Sequence, residues 1–256
     1  VDEGDETVFG AQSFIVYKLA TIFMGGVCKS VPMPGMKYDL DAMRDAVTDK
    51  TKVVFMTNPN NPTGCVVKQS EVENFVRSLP ENVIFCYDEA YTEYQRDPVD
   101  LRGLIAEGYN VICLRTFSKI YGLAGLRIGY SYSSEEIAGY INRVREPFNV
   151  NSLAQVAALA ALDDDDFVRL SRDVNDAGRK QFEKAFEELG LEYFSDGANF
   201  VMVKVADAPK KFVEMQKRGV IVRPNVGYGL PDWLRITIGK PEQNERCIEE
   251  LSRLVK

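Results

Sequence analysis

Residues 53–64 read Val-Val-Phe-Met-Thr-Asn-Pro-Asn-Asn-Pro-Thr-Gly. A β-branched and aromatic run, Val53–Thr57, gives way to prolines and a glycine that force a turn. Past the turn, Val72, Phe75, Val76 and Leu79 fall at i, i+3, i+4 and i+7, which predicts a helix over Ser70–Leu79. Ser70 and Glu73 have the spacing of a capping box at its start. Val83–Tyr87 is wholly apolar and predicts a strand buried on both faces. Leu101–Glu107 predicts a short helix, and Val111–Leu114 another buried strand. Upstream, Thr7–Phe9 predicts a strand close to the first residue. This alternation implies right-handed βαβ units, hence an α/β fold with a doubly wound, mostly parallel sheet.

After Pro147 the pattern changes. Ala154–Leu162 is alanine-rich, and helical periodicity continues past Asp163–Asp166 to Leu189. The four aspartates read as a solvated turn or helix start, because metal sites recruit ligands from separate elements. Phe200–Val205, Ile221–Arg223 and Leu234–Ile238 predict strands, and Glu242–Leu254 a closing helix. The expected organisation is a large α/β domain over 1–150 and a smaller α+β domain over 151–256.

The 256 residues carry 31 Lys and Arg against 38 Asp and Glu, a net charge of −7. That disfavours a nucleic-acid partner, which wants a basic face. No apolar run approaches the ~18 residues that span a bilayer. The five cysteines are scattered, with no CxxC, so neither a disulfide framework nor a metal site is expected, and a reducing cytoplasm is the default setting. The chain has no histidine. Ser-His-Asp, Cys-His and HExxH chemistry are therefore excluded within it, and proton transfer falls to Lys, Tyr or a carboxylate.

In an open parallel sheet, ligands gather at the carboxyl ends of the strands. There the sequence places Asn61, Asp88 and Lys119, one βαβ unit of ~30 residues apart. Taken singly, Asn61 reads as a turn residue and Lys119 as a solvated lysine. Asp88 with Glu89 also fits the acidic pair of a nucleotide hydrolase. That reading wants GxxxxGK[ST] after the first strand, and none is present.

The surrounding residues carry a resemblance. Asn58–Gly64, Asp88-Glu89-Ala90-Tyr91, Arg115-Thr116-Phe117-Ser118-Lys119 and Gly122–Gly129 together resemble the signature of the fold-type I, pyridoxal-phosphate-dependent aminotransferases. Pro147–Asn151, Gly219–Arg223 and Trp233–Gly239 look most like the histidinol-phosphate branch of that family. The resemblance implies pyridoxal 5'-phosphate as cofactor, with Lys119 carrying its aldehyde carbon and then shuttling the substrate proton. It implies Asp88 against the ring nitrogen, Asn61 and the Tyr91 hydroxyl on the ring oxygen, and Phe14 stacked on the ring. Thr116, Ser118 and Arg127 would hold the cofactor phosphate, a task suited to hydroxyls and a guanidinium. Arg235 would clamp the substrate carboxylate, and Arg223 a substrate phosphate.

The implied partners are a small-molecule amino donor and a 2-oxo acid. The reaction expected is histidinol phosphate with 2-oxoglutarate, giving imidazole-acetol phosphate and glutamate in histidine biosynthesis. The runner-up is an aromatic amino-acid aminotransferase, and the third possibility a catalytically incomplete fragment of either enzyme. Family members are homodimers with a leading segment whose helix N-terminus also binds the cofactor phosphate. That segment is not in this sequence, so the resemblance implies a sheet short of one strand.

Overall fold

In a computed structural model, described over residues 1–255, two sheets organise the chain. The first contains β1 (Glu6–Gly10), β2 (Val27–Val31), β3 (Thr51–Thr57), β4 (Ile84–Asp88), β5 (Val111–Thr116) and β6 (Gly129–Ser133), in the order β2-β1-β3-β4-β5-β6. The first five strands are parallel, and β6 closes one edge antiparallel to β5. Helices α1 (Ile15–Phe23), α2 (Leu40–Asp45), α3 (Gln69–Arg77) and α4 (Arg102–Ala106) form the crossovers.

Three further helices follow, α5 (Glu135–Val144), α6 (Ser152–Leu162) and α7 (Asp165–Glu188). They lead to an antiparallel sheet of β7 (Tyr193–Phe194), β8 (Phe200–Lys204), β9 (Arg223–Asn225) and β10 (Leu230–Thr237), ordered β7-β8-β10-β9. Helices α8 (Ala208–Lys217) and α9 (Pro241–Val255) complete this half. Among the described residues, no helix is long and apolar enough to cross a membrane.

Each sheet has its own core. Val54, Met56, Phe85, Tyr87, Val111 and Cys113 meet Val72, Phe75 and Leu104 from α3 and α4. Phe182 and Phe186 of α7 pack on Val201, Val203, Leu234 and Ile236, with Leu251 of α9. A third cluster joins the two, setting Tyr91, Tyr94 and Ile120 against Ala198 and Phe200. The central strands are apolar on both faces, so polar groups are displaced to their carboxyl ends, where the chain turns.

The turn after β3 is pinned by Asn58. Its Oδ1 accepts from the Val67 N–H at 2.9 Å. Its Nδ2 donates to the Val67 carbonyl and the Tyr87 hydroxyl, both at 2.8 Å. One buried amide thus satisfies backbone and core groups that water does not reach.

The structure moves several expected boundaries. Helix α3 begins at Gln69, and the carboxylate that reaches back to its start is Glu71, which accepts from Lys68 N–H at 3.0 Å. The Ser70–Glu73 box does not form, because Glu73 accepts instead from Gln69 Nε2 at 2.6 Å. The aspartates stand where the sequence put them, at a helix start: α6 ends at Leu162, and Asp164 caps α7 by accepting from Phe167 N–H at 3.0 Å. Strand β9 starts at Arg223 rather than ending there, and Ile221 stays exposed in the connection after Gly219. Strand β10 starts at Leu230, which pairs with Asn225 across an irregularity before Leu234.

Asn58→Ala leaves the Val67 N–H and C=O without their partner. Urea unfolding should show the protein destabilised by about 1–3 kcal/mol, the cost of unsatisfied buried polar groups. Parent-like stability would mean that another group supplies those bonds.

Candidate active site

A cavity of about 430 Å³ opens at the carboxyl ends of β3, β4 and β5. Phe14, Asn61, Asp88, Tyr91, Thr116, Ser118, Lys119 and Arg127 all line it, with Thr57, Ala90 and Ala124. Eight of the ten residues singled out from the sequence thus meet in one place. A larger depression of about 660 Å³ lies at the opposite strand ends, lined by Leu79, Pro80, Glu107 and Tyr109 among others. It offers carboxylates and apolar side chains but no amine or guanidinium, so the chemistry belongs to the smaller cavity.

Lys119 sits in the loop after β5. That loop is closed by Phe117 N–H to the Ile128 carbonyl at 3.2 Å and Leu123 N–H to the Phe117 carbonyl at 2.9 Å. Gly122 completes the turn with φ 70°, a conformation that favours glycine. The Lys119 amine lies 5.0 Å from the centroid of the Tyr91 ring. Its pKa is lowered, first by burial, then by the Arg235 charge, while Asp88 pulls it back up and Arg127 lowers it further.

Asp88 is the last residue of β4. Its Oδ1 accepts from Ala90 N–H at 3.0 Å, and its Oδ2 from the Tyr17 hydroxyl at 2.7 Å. Burial raises its pKa, and the Tyr17 bond, the Ala90 bond and the Lys119 charge oppose that rise. Glu89 faces away from the cavity, fully buried, accepting from Arg115 Nε at 2.5 Å and from the Tyr132 hydroxyl at 2.8 Å. Asp88 and Glu89 therefore do not act on a common ligand, which removes the structural basis of the nucleotide-hydrolase reading.

Thr116 and Ser118 lead into the lysine loop, and the Thr116 hydroxyl accepts from Ser118 N–H at 3.0 Å. Arg127 adopts a left-handed backbone (φ 56°), and its Nη1 donates to the Ala124 carbonyl at 2.6 Å. Arg235 reaches the cavity rim from β10. Its Nη1 donates to Asn61 Oδ1, its guanidinium lies 4.9 Å from the Phe200 ring centroid, and its buried Nε has no hydrogen-bond partner. Arg223 is not in the cavity. It pairs with Arg235 in the β9–β10 register and lines with it a separate depression of about 490 Å³.

The profile of aminotransferase class I and II matches residues 1–251. The chain belongs to the class I and II aminotransferases. It is 45% identical over 251 residues to histidinol-phosphate aminotransferase of Akkermansia muciniphila, covering 98% of this chain and 69% of that protein. It is 42% identical to histidinol-phosphate aminotransferase 2 of Carboxydothermus hydrogenoformans, over 100% of this chain and 72% of the relative. The crystal structure of histidinol-phosphate aminotransferase from Sinorhizobium meliloti, in complex with pyridoxal-5'-phosphate, superposes with a TM-score of 0.91 at 28% identity, covering 100% of this chain and 71% of that one. A Thermus thermophilus aspartate aminotransferase mutant shares the fold, with a TM-score of 0.89 at 24% identity over 99% of this chain and 74% of that one.

The aminotransferase is dependent on pyridoxal 5'-phosphate, and the cavity suits that molecule. An amine of lowered pKa, a carboxylate, hydroxyls and a guanidinium are the groups that an aldehyde, a pyridine nitrogen and a phosphate dianion require. Tyr17 and Thr57 escaped the sequence reading. The available signal was position: Tyr17 lies three residues after Phe14, on the same face of the chain entering α1.

The charge balance at Lys119 is testable in cofactor-free protein. Acylation of Lys119, followed by peptide mass spectrometry, should set in at a lower pH than for an ordinary lysine. Arg235→Ala removes a positive charge and should move the onset up. Asp88→Asn removes a negative charge and should move it down. Onsets that shift in the same direction would reject the balance.

Proposed function

We propose that this aminotransferase exchanges the amino group of histidinol phosphate with 2-oxoglutarate, giving imidazole-acetol phosphate and glutamate. The observation that carries the reading is the convergence of Lys119, Asp88, Asn61 and Arg127 on one cavity with Arg235 at its rim. The identity to histidinol-phosphate aminotransferases supports the choice of substrate. When bound, the cofactor supplies an electron sink beside the substrate's α-carbon.

On this reading the chain's own residues divide the work. Lys119 Nζ, its pKa lowered first by burial and then by the Arg235 charge, takes the α-proton and returns it on the far side of the exchange. Asp88 would meet the ring nitrogen, where a carboxylate stabilises positive charge. Asn61 Nδ2 and the Tyr91 hydroxyl would hold the ring oxygen, and Phe14 would lie against the ring. Thr116, Ser118 and Arg127 hold the phosphate. Arg235, with its unpartnered Nε, takes the α-carboxylate in place of Asn61 Oδ1. Arg223, across the register from Arg235, takes the substrate phosphate. The cofactor half is placed at 1–150 and the clamping half at 151–256, a division supported by the separate sheets and cores.

A homodimer is part of the proposal. Phe148 and the α6 residues Leu153, Val156 and Leu159 are exposed, an apolar face that suits a second subunit. The setting proposed is the cytoplasm, in keeping with cysteines that remain unpaired.

Borohydride reduction of the cofactor-loaded protein, followed by peptide mapping, should place the label on Lys119, and Lys119→Ala should abolish turnover. A label on another lysine overturns the assignment. Arg223→Ala should raise KM for histidinol phosphate about ten- to a hundredfold, the size of a lost charge-assisted contact of about 1.5–3 kcal/mol, and spare aromatic amino acids. Equal losses for both substrates would favour an aromatic aminotransferase.

A further inference from the structure

Tyr17 is the one side chain that hydrogen-bonds Asp88 among the described residues, yet it stands outside the cavity wall. It is 4% exposed. Its ring stacks on Phe55 at 4.7 Å with an interplanar angle of 5°, and meets the edge of Phe14 at 5.8 Å. Its hydroxyl lies between Thr57 Oγ1 and Asp88 Oδ2. A phenol has one proton to give. With Asp88 ionised, that proton goes to Oδ2, so Thr57 must donate to Tyr17. The result is a directed chain, Thr57 to Tyr17 to Asp88. The backbone of Tyr17 is tied down as well: the Thr21 hydroxyl donates to the Tyr17 carbonyl at 2.8 Å and meets the Thr7 hydroxyl of β1 at 2.7 Å.

We propose that Tyr17 is the positioning residue of Asp88, holding its carboxylate in the orientation that meets the cofactor's ring nitrogen and keeping their shared proton on that nitrogen. The inference rests on the placement of Asp88 proposed above. The physical reason is basicity. A carboxylate that accepts a fixed hydrogen bond is a weaker base, because the bond favours its charged form. Without the Tyr17 donor, Asp88 competes better for the proton, and the ring loses the positive charge that makes it an electron sink. Oδ1 is already committed to Ala90 N–H, so Oδ2 is the atom through which this control acts.

The other groups around Asp88 do not take over the task. The Lys119 amine acts on it through charge, and the Cys86 thiol and Tyr91 phenol carry pKa values raised by burial and by Asp88 itself. Burial first, and the Asp88 charge second, hold the Tyr17 phenol well above its usual range, so it remains a proton donor. Tyr38 and Thr57 are the other groups that act on it.

Tyr17→Phe keeps the stacked ring and deletes the donor. In the intact, cofactor-free protein, the carbon-13 signal of the Asp88 carboxyl should titrate at higher pH than in the parent. Fluorescence titration should show cofactor affinity reduced about tenfold, as expected for loss of a charge-assisted hydrogen bond. In the loaded enzyme kcat should fall while KM for the amino donor holds. In an Asp88→Asn background, Tyr17→Phe should cost no further cofactor affinity. Should Tyr17→Phe not fold, Thr57→Val removes the donor behind Tyr17 and should move the Asp88 midpoint the same way. An unmoved Asp88 midpoint, or losses that add in the double mutant, overturns the proposal. Failure of the parent protein to bind cofactor overturns the function proposed above instead, and the cofactor-free titration still reports on Tyr17.

Discussion

A carboxylate set at the carboxyl end of a buried strand governs the site. Leaving water costs a charged group several kcal/mol unless fixed partners replace the lost hydration. Asp88 is met by a backbone N–H, a phenol and the field of Lys119. Each of these partners is held by something else. Ala90 belongs to the turn after β4, Tyr17 is stacked on Phe55 of β3, and Lys119 hangs from the loop after β5. The sheet order brings those three elements side by side. The site is thus the place where a parallel sheet, apolar throughout its middle, has gathered the polar groups that it could not bury.

The second half of the chain joins the site at few points, and each is specific. Arg235 bonds Asn61, Gln95 Nε2 donates to the Gly197 carbonyl at 2.6 Å, and Arg172 Nε to the Glu93 carbonyl at 2.9 Å. Tyr91 meets Phe200 edge-on at 5.4 Å. These contacts tie the antiparallel sheet to the loops after β3 and β4, the same loops that line the cavity. Asn61 faces both ways, with one side in the cavity wall and its Oδ1 on Arg235.

Much of this was legible in the sequence, for identifiable reasons. Apolar runs bounded by Pro and Gly located β3, β4 and β5, and strand ends at near-constant spacing located Asn61, Asp88 and Lys119. Local competition was not legible. Both Glu71 and Glu73 stand near the start of α3, and only packing decides which one turns back on the chain and which one meets Gln69. Tyr17 was missed because its hydrogen-bond partner lies 71 residues away in the sequence. Arg223 lay close to its expected place, but the strand begins there instead of ending, and with Arg235 it lines a neighbouring depression.

The left-handed backbone at Arg127 has an evolutionary consequence. For a residue with a Cβ that conformation costs about 1–2 kcal/mol, which glycine would not incur. Mutation and selection for thermal robustness alone would drift the position toward glycine or asparagine. An arginine can hold the position only where the loss of its guanidinium, rather than the loss of fold, is what selection removes. Variant libraries sorted for heat resistance should therefore shed this side chain, and libraries sorted for growth should keep it.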